Sequence, residues 1–219
     1  VIPNSSDIDL FQRTKANSTS TKDLLWLPKA LQGRQFILYP GTLGRVNDIP
    51  YLVELAYKLG RLRYSIPILV VGDGAEKTKA IDLSKQLGIL DKQIFFLPAV
   101  SKLEIPEVFR QASVIISTTL AIEALYANSA NKFFDSLAAG KPICVNYGGW
   151  QAELINKHKL GVVLSRNTEE AADQLVNFIN NPIAIKTAKK RAKILAETEF
   201  SRDKHFNCLQ QILIASAGN

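Results

Sequence analysis

The chain has no methionine, and only two histidines and two cysteines among its 219 residues. Neither Cys144 nor Cys208 stands at a metal-binding spacing, and no metal cluster is visible. Both sit in apolar stretches and read as buried free thiols in a reducing compartment. His158 and His205 fall in polar helical stretches, and no Ser-His-Asp or Cys-His arrangement is visible, which argues against a side-chain nucleophile. Methionine is missing even at position 1, as expected of a piece of a longer protein. No stretch approaches the roughly 18 uninterrupted apolar residues of a membrane span. VIPNSSDIDLF, at the start, lacks the basic and apolar regions of a secretory signal. Acidic residues are the minority, 20 against 27 basic, leaving a net charge of +7 that favours anionic partners. Phosphorylated metabolites and anionic lipid surfaces are the leading classes; no nucleic-acid motif accompanies the charge, so nucleic acid is not expected.

What is present is a regular alternation. RQFILYPG, SIPILVVGDG, QIFFLPAV, SVIISTT and KPICVNYGG are short apolar runs bounded by Gly, Pro or polar residues, the mark of buried strands. GVVLS, at 161–165, reads as a sixth. Between them lie stretches of helical period such as IPYLVELAYKLGRLR and EKTKAIDLSKQLGI, and from Thr168 onward the chain reads as helices. Six alternations predict an α/β fold with a doubly wound, parallel, six-stranded, Rossmann-like sheet, and the common strand order is 3-2-1-4-5-6. In such a sheet ligands bind where the order reverses, beyond the carboxyl ends of strands 1 and 4.

The two oddest segments of the sequence follow those two strands. After strand 1 comes PGTLGRVND, in which Gly41 and Gly44 permit close backbone approach, Thr42 is polar and Arg45 offers a bidentate fork to phosphate. After strand 4 an irregular stretch from about Thr118 leads into SANKFFDSLAAG, which has polar residues to open a helix and Gly140 to end it. Its Lys132 falls in the first turn, where the helix dipole disfavours a cation. A diphosphate held by the amides of Ala130, Asn131 and Lys132 would remove that conflict. Asp135, one turn further, could accept hydrogen bonds from ribose hydroxyls. Singly, these features also read as a tight turn, solvated charges and a dipole-complementing acid; jointly, at the switch point, they favour the ligand. The first loop is not GxGxxG, which disfavours a nicotinamide site. Gly72-Asp73-Gly74 reads as a turn, and neither a metal nor a cofactor is called for.

VIPNSSDIDLF, YPGTLGRVND, ILVVGDGAEK, FFLPAVSKLEIPEVFRQASVIIS, SANKFFDSLAAGKPI, GGWQAELI and EFSRDK, in this order, resemble the C-terminal half of GT-B glycosyltransferases of family 4, of the colanic-acid and polysaccharide type. The resemblance spans essentially the whole chain. It implies a hinge or linker over 1–29 from a missing N-terminal domain, a nucleotide-sugar donor domain over 30–200 and a C-terminal helix over 201–219. It implies a diphosphate beside Gly41, Thr42, Gly44, Arg45, Asn131 and Lys132, a ribose on Asp135, and a base bordered by Leu97, Pro98, Ala99 and Val100. Asp135 matches the second acid of the family's Glu-x7-Glu motif, but the first falls on Ala127; Glu123 is a possible substitute. The implied activity is transfer of a sugar, from a UDP-sugar first and a GDP-sugar second, to a polysaccharide or lipid-linked acceptor. The chain alone is expected to bind donor without transfer, in the cytoplasm or peripherally on the inner face of an anionic plasma membrane. A sugar-nucleotide 2-epimerase and a non-catalytic nucleotide-binding module are the alternatives.

Overall fold

The computed structural model describes residues 3–5, 7–13, 27–62 and 65–217. Within the expected linker, residues 1, 2, 6 and 14–26 therefore lie outside the described residues. The strands are β1 (Ile37–Pro40), β2 (Ile68–Val71), β3 (Ile94–Leu97), β4 (Val114–Ser117) and β5 (Ile143–Val145). The helices are α1 (Ile8–Arg13), α2 (Ile49–Arg61), α3 (Lys77–Gln86), α4 (Ile105–Gln111), α5 (Asn131–Ala139), α6 (Trp150–His158), α7 (Thr168–Ile179), α8 (Pro182–Thr198) and α9 (Arg202–Ala217). The strands pair in parallel in the order β3-β2-β1-β4-β5, so the order reverses between β1 and β4, as expected.

The sheet has five strands among the described residues rather than six. GVVLS does run beside β5, and two backbone bonds tie them, Val145 N donating to Val162 O at 3.2 Å and Leu164 N to Val145 O at 2.7 Å. Only the single bridge Val145–Val163 results. The segment is glycine-led because a Cβ on Gly161 would lie 1.9 Å from Ile143 O, and it turns away after Leu164.

Side chains alternate across the sheet with period two, and both faces are buried. Leu38, Leu69, Ile115, Ile143 and Val145 face α4, α5, α6 and α8, whereas Ile37, Tyr39, Val70, Ile116 and Cys144 face α2 and α7. Burial pushes the Cys144 thiol up to about 12, and it is inert. Cys208 does not follow the expectation: it is exposed on α9, beside the exposed Phe206, Leu209 and Leu213. The sequence reading missed this, because α9 is apolar enough to pass for a core helix.

The underside of α5 is fixed by aromatic packing. Phe133 meets Trp150 at 5.8 Å between ring centroids, and Phe134 meets Phe200 at 5.3 Å, both edge-on. Trp150 also donates its indole N–H to Asn128 O at 3.0 Å, tying α6 to the loop that precedes α5. Edge-on aromatic pairs contribute about 0.5–1.5 kcal/mol beyond area burial. The helix is thus anchored along its length while its first turn faces the sheet's carboxyl edge.

Candidate functional site

Two loops press together beyond β1 and β2. Gly41 N donates to Val71 O, and Leu43 N to Asp73 O, each at 2.9 Å. A Cβ on Gly72 would lie 1.9 Å from Gly41 O, so no other residue fits there without moving the backbone. Gly72-Asp73-Gly74 is therefore more than the turn the sequence suggested; it forms one wall of a cleft.

That cleft, of 660 Å³, is bounded by Gly41, Thr42 and Asn47 on one side, Gly72 and Asp73 behind, Ala99, Val100 and Lys102 from the loop after β3, and Ala130, Asn131, Lys132 and Asp135 of α5. A second cavity of 270 Å³ adjoins it, lined by Val46, Asn47, Ser117, Thr118, Thr119, Leu125, Asn128, Ser129 and Tyr147. Asn47, Ala130 and Lys132 line both. No carboxylate lines the smaller one; Glu123 and Ala127 lie on an exposed 3-10 turn, Glu123–Ala127, outside both linings.

Lys132, at the junction, is half-buried. Its ammonium lies 4.2 Å from the centroid of the Tyr39 ring and donates to the Tyr39 hydroxyl at 3.1 Å. Tyr39 in turn donates to Thr42 O at 2.8 Å, and burial pushes its phenol up, so it is neutral. No carboxylate among the described residues pairs with Lys132, and burial pushes the ammonium down to about 7. A cation half-withdrawn from water onto an aromatic face, with a neutral hydroxyl as its hydrogen-bond acceptor, lacks a counter-ion. Asp135 is half-buried as well; burial pushes it up to about 6, Lys102 pulls it down and Asp7 pushes it up.

The helix end beside Lys132 is unfinished. Its cap position is Ala130, and no side chain accepts from the first amides. The Ala130 amide itself donates to Asn128 Oδ1 at 3.2 Å, which leaves the amides of Asn131 and Lys132 rather than all three expected.

Of the residues expected from sequence, the structure brings together Gly41, Thr42, Ala130, Asn131, Lys132, Asp135, Ala99 and Val100 around the larger cleft. Gly44, Arg45, Leu97 and Pro98 line neither cavity. Arg45 is exposed because its backbone belongs to a turn, Arg45–Asn47, whose carbonyls are drawn toward the loop after β4. Thr118 Oγ1 donates to Asn47 O at 2.5 Å and Thr119 Oγ1 to Val46 O at 2.8 Å. Behind this turn a buried Asp48 accepts from Arg166 at 2.7 Å and from Asn146 at 3.3 Å, and Asn146 Oδ1 accepts from Thr119 N. Sequence reasoning missed Tyr39, Asn47, Lys102 and this brace. A tyrosine in an aliphatic buried strand was the available signal, since its hydroxyl must find a partner.

The sequence profile of a family described as glycosyl transferases group 1 matches residues 28–196. The chain belongs to this family. Anabaena HepE, solved in complex with UDP, superposes with a TM-score of 0.76 at 19% identity, over 98% of this chain and 57% of HepE. WaaG, a glycosyltransferase involved in lipopolysaccharide biosynthesis, gives 0.64 at 14% identity, over 90% of this chain and 52% of WaaG. The C-terminal domain of the group 1 protein LpcC from Francisella tularensis gives 0.63 at 16% identity, covering 92% of this chain and 97% of that domain. No curated protein matches the sequence. The family's fold here is that of the C-terminal, Rossmann-like domain of GT-B glycosyltransferases, and the chain spans little more than half of HepE or WaaG. Among the described residues no helix is long and apolar enough to cross a membrane, and no cluster of His, Cys, Asp and Glu could hold a metal ion.

Proposed function

We propose that the chain binds the nucleoside diphosphate of a sugar donor, with the phosphates between the α5 amides and Lys132. One observation carries this reading: a half-buried ammonium with no carboxylate paired to it among the described residues, at an uncapped helix N-terminus, where two cavities meet. The nucleoside would occupy the larger cleft, its ribose on Asp135 and its base along Ala99 and Val100. The glycosyl group, esterified to the second phosphate, would enter the smaller cavity, whose hydroxyls and amides suit a neutral sugar. Gly41 and Thr42 would approach the phosphates through the backbone, and the exposed Arg45 would join them from the rim. Stabilising a leaving diphosphate needs preorganised positive charge rather than a nucleophile, and that is what the site offers.

UDP-sugar is the first choice, since HepE has been solved with UDP and with UDP-glucose, and GDP-sugar the second. The likeness to WaaG supports a polysaccharide or lipid-linked acceptor, and the coverage of HepE and WaaG supports an N-terminal acceptor domain, without which this chain would not transfer. Membership of family 4 and the colanic-acid type rests on the motif series. The 2-epimerase alternative is disfavoured by the absence of acid–base carboxylates and histidines around the smaller cavity. Calorimetric titration with UDP, GDP and uridine tests the reading. UDP is expected to bind more tightly than uridine, and no binding of either diphosphate would overturn it.

A separate surface supports peripheral contact with an anionic membrane. Lys186, Lys189, Lys190 and Arg191 of α8 are exposed, between Ile183 (78% exposed) and Ile194 (47%). Sedimentation with anionic liposomes is expected and should weaken with salt, each surface charge contributing on the order of 1 kcal/mol.

A further inference from the structure

The N-terminal segment reaches the same helix end. Asn4 N donates to Ser129 Oγ at 3.1 Å, and the Asn4 side-chain amide donates to Ser129 O and to Asn131 Oδ1, both at 2.8 Å. Ser129 and Asn131 flank the cap position, Ala130, and they are the residues there whose side-chain oxygens are of the types that cap helices. Asn4 engages both. Three residues on, Asp7 anchors the segment, accepting from Leu10 N at 3.2 Å and pairing with Arg202 at 2.7 Å and Lys102 at 3.4 Å. Burial pushes the Asp7 carboxyl up, but the Leu10 amide, Arg202 and Lys102 outweigh it and hold the group below its ordinary value, so it is a charged anchor.

We propose that Asn4 is a positioning residue for the anion site: it withdraws the capping oxygens of Ser129 and Asn131 from the first amides of α5 and so keeps those amides free for phosphate. The inference rests on the diphosphate reading above. An orphan helix amide takes whichever acceptor reaches it first, and a serine or asparagine oxygen one residue away has the advantage of proximity. Removing Asn4 releases both oxygens to compete with the ligand. A residue that does not touch the ligand then sets its affinity, and whatever moves the N-terminal segment does the same, since coupling between two sites is reciprocal.

The test uses the chain as it stands, with Asn4→Ala and the triple variant Asn4→Ala/Ser129→Ala/Asn131→Ala. For Asn4→Ala, UDP is expected to bind about three- to tenfold more weakly, the equivalent of one neutral hydrogen bond, with uridine unchanged. In the triple variant, where neither of those two oxygens is left to compete, much of the loss should return. Without ligand, hydrogen exchange at the amides of Asn131 and Lys132 should slow in Asn4→Ala, because the helix now caps itself. Faster exchange there, an equal loss of uridine and UDP, or no recovery in the triple variant would overturn the proposal. The exchange measurement needs no ligand, so it decides on Asn4 even if wild-type chain fails to bind UDP and the diphosphate reading falls alone.

Discussion

Helices α5 and α7 begin in opposite ways. At α7, Asn167 Oδ1 accepts from the amides of Glu169 and Glu170 at 2.9 and 3.2 Å, and the first turn carries those two acids. Cap and charge both satisfy the helix dipole, so nothing is left for a ligand. At α5 the cap position is an alanine, the neighbouring oxygens are engaged by Asn4, and the first turn carries a lysine. The same fold contains one helix end completed for stability and one left incomplete at the switch point. An incomplete end costs folding free energy, and on the proposed reading a bound anion would return it.

The largest effect expected from breaking this contrast is on Lys132. Lys132→Met keeps an apolar stem over Tyr39 but removes the charge. Loss of a charge-assisted hydrogen bond, roughly 1.5–3 kcal/mol, should weaken UDP about ten- to a hundredfold while sparing uridine. Without ligand the variant should melt no lower than wild type, since the cation was unfavourable there; equal losses for UDP and uridine in calorimetry would show that Lys132 serves something other than phosphate.

A second effect follows from pH. The Lys132 ammonium drops from 10.5 in the unfolded chain to about 7 in the fold. Between those values the unfolded chain binds more protons, so the ligand-free fold gains stability as pH rises through that window, and below it the cost is fully present. Phosphate needs the protonated form. UDP affinity should therefore fall above pH 7, approaching about tenfold per pH unit, whereas uridine should show no such slope. Titrations between pH 6.5 and pH 9 in buffers of different ionisation enthalpy would reveal the accompanying proton uptake. Tyr39 stays neutral throughout, and Asp135, shifted up to about 6, completes its titration at the lower end of this range, so neither should distort the slope above pH 7.

The smallest effects come from exchanging the two helix ends. Asn167→Ala should destabilise the fold by about 1 kcal/mol without changing UDP affinity. Ala130→Ser should do the reverse: it gives α5 the cap it lacks, raises thermal stability by a similar amount and weakens UDP severalfold, because the serine oxygen takes the phosphate's amides. Thermal melts beside titrations separate the two, and a rise in UDP affinity in Ala130→Ser would erase the contrast.

The contrast was half legible in the sequence. The strands that formed are short apolar runs closed by Gly, Pro or polar residues, and their order at β1 and β4 placed the two loops side by side before any geometry was known. Lys132 was conspicuous because a rule of helix electrostatics is broken locally. Arg45 broke no rule, and its exposure depends on Thr118 and Thr119 pulling the turn from some seventy positions away. Long-range bonds of that kind leave no periodic trace. GVVLS illustrates the same limit at the edge of the sheet: its composition is that of a strand, but whether an extended segment forms a ladder depends on how long it stays beside β5. Tyr39 and Asn4 were missed because each acts through a few hydrogen bonds to partners far along the chain, Lys132 for the one and Ser129 and Asn131 for the other.

Trp150 has a practical consequence. Its ring touches Phe133 and Phe134 inside α5, and its indole N–H is bonded to the loop that delivers Ala130. The chain has two tryptophans, and the other, Trp26, lies outside the described residues. With Trp26→Phe, the remaining indole becomes an intrinsic optical probe wired to the first turn of α5. Occupancy of that turn can then be followed in its emission, in real time and without a label.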